Sequence, residues 1–131
     1  MRASLKIKAE VNSMLKQFSN AASQRDAEGM LALFAPDPDI VMLGSEGESA
    51  MNRGEFARFL KRVFSRPMTY SWKWKRKVIS TRGQVAWVTA QGFVITRRNG
   101  RSSSRQYRLT AVFERRKGKW FWMHYHGSEP V

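Results

Sequence analysis

Apolar residues recur along residues 4–23 in steps of four, three and four, at Val11, Leu15, Phe18 and Ala22, with Met14 beside them. That spacing draws one stripe along a helix. Asp26 can cap a short second helix over 27–34, which Pro36 and Pro38 then stop. Residues 39–44 (Asp-Ile-Val-Met-Leu-Gly) read as a short strand, and 45–48 as a turn. A third helix is predicted over 53–65, with Phe56, Phe59, Leu60, Val63 and Phe64 inward and Arg58, Lys61 and Arg62 outward.

From there the period changes from helical to two. Met68, Tyr70, Trp72 and Trp74 alternate with Thr69, Ser71, Lys73 and Lys75. Further strands are predicted over 84–95, 104–115 and 120–126. The turns between them fall at Arg82-Gly83, at Asn99-Gly100 and at Lys117-Gly118-Lys119. Helices first and a meandering antiparallel sheet afterwards make an α+β domain. At 131 residues the chain has room for one domain, 1–131, and shows no repeat or linker.

Composition narrows the chemistry. The absence of cysteine excludes disulfides, thiolate nucleophiles and cysteine zinc sites. Lys6, Lys8 and Glu10 break any secretory apolar run, and the longest apolar stretches fall far short of the ~20 residues a membrane helix needs. A soluble, cytoplasmic protein without a membrane partner is expected. The net charge of +14 is carried unevenly: residues 53–119 hold 19 basic and 2 acidic side chains, whereas residues 1–52 hold 5 and 7. Such polarity points to an anionic partner or to a well-solvated surface.

Three segments carry a resemblance: Phe34-Ala-Pro-Asp-Pro-Asp-Ile-Val-Met-Leu-Gly44, Arg53-Gly-Glu-Phe-Ala-Arg58, and Arg108-Leu-Thr-Ala-Val112 with Gly118-Lys-Trp120 and His124-Tyr-His-Gly-Ser128. Together with the element order they resemble the SnoaL-like branch of the nuclear transport factor two-like (ketosteroid isomerase-like) superfamily. The resemblance implies a cone-shaped α+β barrel of cystatin-like type, a curved sheet wrapped on a long helix. It also implies a pocket inside the cone and a homodimer formed through the outer sheet face. On the resemblance, Arg108, Thr110 and Val112 would point into the cone, as would Trp120, Trp122, His124 and His126.

The candidate site follows from that orientation. His124 and His126, the only histidines, stand about 7 Å apart on one strand face. Either could act as acid or base, or both could simply hydrogen-bond backbone or Ser128. Arg108 without an acidic neighbour would hold a ligand carboxylate or phosphate, with Thr110 beside it. Trp72, Trp74 and Trp122 could wall an aromatic box or belong to the core. Asp39 is the one early counterpart to the inward aspartate common in enzymes of the superfamily; otherwise it is a turn former. His-x-His lacks a third ligand at metal-like spacing, so no metal and no cofactor are expected. Three functional classes remain open: a pocket protein for a small anionic or aromatic ligand, with or without acid–base catalysis; a non-catalytic dimeric binding or interaction module; and a basic nucleic-acid binder.

Overall fold

The computed structural model describes residues 1–130. Ser4 accepts a hydrogen bond from the Ile7 amide and opens α1 (Leu5–Ser23), whose stripe of Val11, Met14, Leu15, Phe18, Ala21 and Ala22 is buried. Asp26 caps α2 (Ala27–Ala32) through the Gly29 amide. The helix is shorter than the pattern predicts, because Phe34 leaves it to form a parallel bridge with Trp122. β1 (Val41–Leu43) keeps the centre of the predicted strand, and Asp39 falls in the turn before it. β2 (Ser49–Ala50) is too short to have a sequence signature. Asn52 caps α3 (Arg53–Phe64), and Glu55 returns the bond to the Met51 amide. The four long strands are β3 (Met68–Arg82), β4 (Val85–Arg98), β5 (Arg101–Arg116) and β6 (Lys119–Ser128).

These strands form one six-stranded sheet in the order β2-β1-β6-β5-β4-β3. All pairings are antiparallel except β1 with β6. The helices lie on one face of the curved sheet, an α+β arrangement as expected. Asn99 and Gly100, both at positive φ, close the β4–β5 hairpin as the dipeptide predicts. Among the described residues no helix is long and apolar enough to cross a membrane.

Two irregularities break the simple alternation. In β3 the register shifts between Trp74 and Arg76, leaving Lys75 unpaired. In β6 Val112 faces His124 and Phe113 faces Trp122, so Met123 is the extra residue. Trp120 and Trp122 therefore face the helices, and past the bulge Tyr125 and Gly127 do. His124 and His126 turn to the opposite face, against the expected grouping with the tryptophans. On β5 the buried set is Tyr107, Leu109, Ala111 and Phe113; Arg108 and Thr110 are exposed on the outer face, also against expectation. The physical reason is direct: four apolar side chains gain from burial on one face, whereas an inward Arg108 would bury a charge without a partner.

Trp122 is the hub of the core, fully buried with its ring centroid 4.7 Å from Phe18, 4.6 Å from Phe113 and 5.6 Å from Phe34. Arg53 fastens the α2–β1 connection to this core by donating to the carbonyls of Leu31, Phe34 and Ala35. Trp122→Ala is expected to cost about 3–5 kcal/mol of unfolding free energy, as for other aromatic truncations in cores. Leu5→Ala, at an α1 residue 85% exposed, should cost under about 1 kcal/mol. Urea titration of both variants checks the pair; equal losses would show that Trp122 is not the hub.

Candidate functional site

Between the inner sheet face and the helices lies a cavity of about 200 Å³. α1 and α2 contribute Phe18 and Met30, α3 contributes Phe56, Phe59, Leu60 and Val63, and the sheet contributes Tyr70, Trp72, Val94, Tyr107 and Tyr125. A 150 Å³ apolar cavity holds benzene, so this one has room for a one-ring or compact two-ring body.

The polar groups of the cavity come in two sets. Inside, the hydroxyls of Tyr107 and Tyr125 are hydrogen-bonded to each other, both residues being buried. Glycine at 127 makes this pairing feasible, since a Cβ there would sit 1.8 Å from the Tyr107 hydroxyl. Burial pushes the Tyr107 hydroxyl up to about 12, against the lowering effect of its bond with Tyr125. Burial likewise holds Tyr125 well above the ordinary phenol range, with the Tyr107 pairing adding to it. Both hydroxyls are therefore neutral at physiological pH, and with one O–H used within the pair the other is left to meet a ligand oxygen.

The second set rings the mouth. Arg105 donates from Nε to Glu129 at 2.6 Å and from Nη2 to Glu46 at 3.2 Å, and Ser45 donates to the same Glu129 carboxylate at 2.6 Å. Burial pushes the Glu129 carboxyl up, but the bonds from Ser45 and Arg105 outweigh this and leave it below its usual range. Glu48 also lines the cavity, curled back onto the Glu46 amide, and its charge helps to raise Tyr107 and Tyr125. Arg62 and Arg66, at the end of α3 and just past it, line the mouth with no acidic partner among the described residues.

The predicted site residues are thus divided by the sheet. Trp72 lines the cavity, Trp74 supports it by packing on Tyr107 at 6.2 Å, and Trp122 lies behind it in the core. Arg108, Thr110 and His126 line a shallow depression on the outer face, and His124 shares that face. Asp39 is exposed in its turn, remote from the cavity lining. No group of three potential ligands gathers for a metal among the described residues. Tyr107, Tyr125, Glu48, Arg105, Arg62 and Arg66 take the places that the strand alternation assigned elsewhere.

The SnoaL-like domain profile matches residues 11–131. The chain belongs to the SnoaL-like family. Among solved structures the fold is similar to a nuclear transport factor two-like family protein of Streptomyces avermitilis, at TM-score 0.84 and 18% identity over 96% of this chain and 97% of that one. It is also similar to a superfamily protein of Salmonella enterica serovar Typhimurium, at 0.83 and 18% over 98% and 94%. A cystatin-like protein of unknown function from Nostoc punctiforme follows at 0.78 and 16% over 99% and 96%. No curated protein matches the sequence. At these identities the SnoaL-like likeness fixes the fold and leaves the ligand to the cavity itself.

Burial lowers the His124 imidazole below its ordinary value of 6.5, and the charge of His126 adds to this. The unfolded chain then takes up a proton before the folded one. Stability is accordingly level above pH 6.5 and falls as pH drops through 6.5 towards the folded value. Melting temperatures measured between pH 7.5 and 5.5 should fall more for the wild type than for His124→Gln; parallel curves would contradict the assignment.

Proposed function

We propose that this SnoaL-like protein binds a small aromatic or otherwise apolar molecule that carries an acceptor oxygen and an anionic end. The observation that carries this reading is the Tyr107–Tyr125 hydroxyl pair set in a cavity otherwise walled by aromatic and aliphatic side chains. The ring of the ligand fills the space between Phe18, Phe59 and Trp72, and its oxygen takes a hydrogen bond from the tyrosine pair. Its carboxylate or phosphate reaches the mouth, where Arg62 and Arg66 have no acidic partner among the described residues. Acid–base chemistry in the cavity, where the ligand calls for it, falls to Glu48 and the tyrosine pair. His124 and His126 stand across the sheet from it.

A homodimer through the outer sheet face fits this architecture if it centres on Trp87, Val112 and His124, which form one cross-strand row. A two-fold contact centred further along that face would set Arg76 and Arg108 against their own copies. Light scattering should report a dimer that Trp87→Arg converts to a monomer; an unchanged dimer would move the interface elsewhere.

Thermal shift and calorimetry with 2-naphthoate and its neutral amide test the ligand reading. The carboxylate should stabilise the protein at millimolar concentration and more than the amide. Tyr125→Phe should weaken binding about tenfold, the equivalent of one hydrogen bond of roughly 1.4 kcal/mol. Arg62→Gln with Arg66→Gln should erase the preference for the carboxylate. If aromatic carboxylates, phenols and ketones all leave the melting temperature unmoved, the reading is wrong.

A further inference from the structure

The inner face of the sheet continues past the cavity mouth to the tip of the β4–β5 hairpin. Along it the row Trp72–Val94–Arg105 belongs to the cavity, Tyr70–Thr96–Ser103 follows, and Met68–Arg98–Arg101 comes last. Met68, Thr96, Arg98, Arg101 and Ser103 line a depression of about 610 Å³ there. Tyr70 lines the cavity and its cross-strand partner Thr96 the depression, so the two adjoin. The floor of the depression is polar. Thr96, only 8% exposed, shares a hydroxyl–hydroxyl hydrogen bond of 2.8 Å with Ser103. With one O–H used within that pair, the other is left for an anion oxygen.

Two pairs of like charge flank this junction. Arg98 and Arg101 stand directly opposite one another across the hairpin. Arg62 and Arg66 follow at a spacing of four, at the end of α3 and just past it. Like charges so placed repel one another and cost stability while no anion lies between them. None of the four forms an ion pair among the described residues. Glu46 and Glu129 are taken up by Arg105, and Glu48 turns back to the Glu46 amide. The two pairs are close together, because Arg66 precedes Met68 by two residues and Met68 is the cross-strand partner of Arg98. A paired spacing of about 5.5 Å and two residues of at most ~7 Å set the backbones of Arg66 and Arg98 within about 12 Å. Arg25 holds that approach by donating to the Arg66 carbonyl at 2.5 Å.

We propose that the anionic end of the ligand is a diphosphate, held between Arg62 and Arg66 on one side and Arg98 and Arg101 on the other, which rests on the cavity holding the ligand's apolar body. A carboxylate meets one guanidinium fork and leaves the second pair of arginines opposed. Two adjoining phosphates offer oxygens to both pairs at once, and the planar donors of each guanidinium suit them. The Thr96–Ser103 hydroxyls add an uncharged donor beneath. A nucleic-acid strand calls for cations along a track. Here the basic row ends at the hairpin tip on one side and at the cavity mouth on the other. Arg98 and Arg101 are on the helix side of the sheet by register, and Arg62 and Arg66 come from α3, so a dimer through the outer face leaves all four free.

Isothermal titration calorimetry of the full chain in magnesium-free buffer at fixed ionic strength, with inorganic pyrophosphate, orthophosphate and 2-naphthoate, tests the proposal. Pyrophosphate should bind at least about tenfold tighter than orthophosphate. Arg98→Gln/Arg101→Gln should weaken pyrophosphate at least about tenfold and leave 2-naphthoate within about twofold. The same variant, relieved of its like-charge pair, should melt no lower than the wild type in the absence of anions. Lys6→Gln/Lys8→Gln, the same charge change at exposed α1 residues, should leave pyrophosphate within about twofold. Geranyl diphosphate and ADP distinguish a prenyl from a nucleotide bearer of the diphosphate, and one of them should bind at least about tenfold tighter than pyrophosphate. Pyrophosphate no tighter than orthophosphate overturns the proposal, as does an equal loss in the α1 control, which would mean net charge alone. Organic diphosphates no tighter than pyrophosphate overturn it as well, by detaching the anion site from the cavity. Binding of 2-naphthoate without pyrophosphate overturns it and leaves the cavity reading standing. Pyrophosphate binding that depends on Arg98 and Arg101, with every aromatic ligand silent, upholds the diphosphate site and overturns the cavity reading.

Discussion

One extra residue in the last strand governs what each face of this sheet can do. Strand side chains alternate strictly, so an inserted Met123 reverses the orientation of everything after it relative to everything before it. Before the bulge, Trp120 and Trp122 enter the core; after it, Tyr125 and Gly127 do. Without the bulge Tyr125 could not stand beside Tyr107, and His124 would enter an apolar interior. The same register lets the bare backbone of Gly127 make room for the Tyr107 hydroxyl. The hydroxyl pair and the outward histidines are consequences of a single irregularity in strand pairing.

Electrostatics is apportioned along similar lines. With 10 acidic side chains against 24 basic ones, few arginines can have a carboxylate partner. Those that do are placed where segments meet. Arg105 ties the β1–β2 turn to the end of the chain through Glu46 and Glu129, and Arg116 holds Asp37 and Glu114 at the opposite end of β5. Arg53 needs no acid, because three backbone carbonyls satisfy it. Among the cations left over, Arg62 and Arg66 line the cavity mouth, and Lys73, Arg76 and Arg108 stand on the outer sheet face. In the proposed function the first set gives a small ligand its anionic preference.

Much of this order was legible in the chain. The four-three-four stripe of α1, the capping residue Asp26 and the Asn99-Gly100 turn each leave a local physical signature, and each element formed where that signature lies. The SnoaL-like fold followed from element order and three motifs. The faces of β5 and β6 did not follow, because both alternating sets of β6 contain large apolar residues and nothing local marks Met123 as unpaired. The match between Phe113 and Trp122 across the β5–β6 hairpin sets the register. Trp72 could be assigned to the pocket because β3 alternates cleanly up to its bulge. Without that register Tyr107 and Tyr125 could not be assigned to the pocket, because the resemblance turned Arg108, Thr110, His124 and His126 inward in their place.

In the proposed function the tyrosine pair serves the cavity, and the histidines stand outside it. The most direct measurement is an NMR titration of the imidazole signals of His124 and His126 from pH 5 to 8, with and without saturating 2-naphthoate, alongside the ring signals of labelled Tyr107 and Tyr125. The ligand should shift both tyrosines and leave the histidine signals and their titration midpoints in place. Ligand-induced displacement of a histidine midpoint with the tyrosine rings unmoved would contradict it.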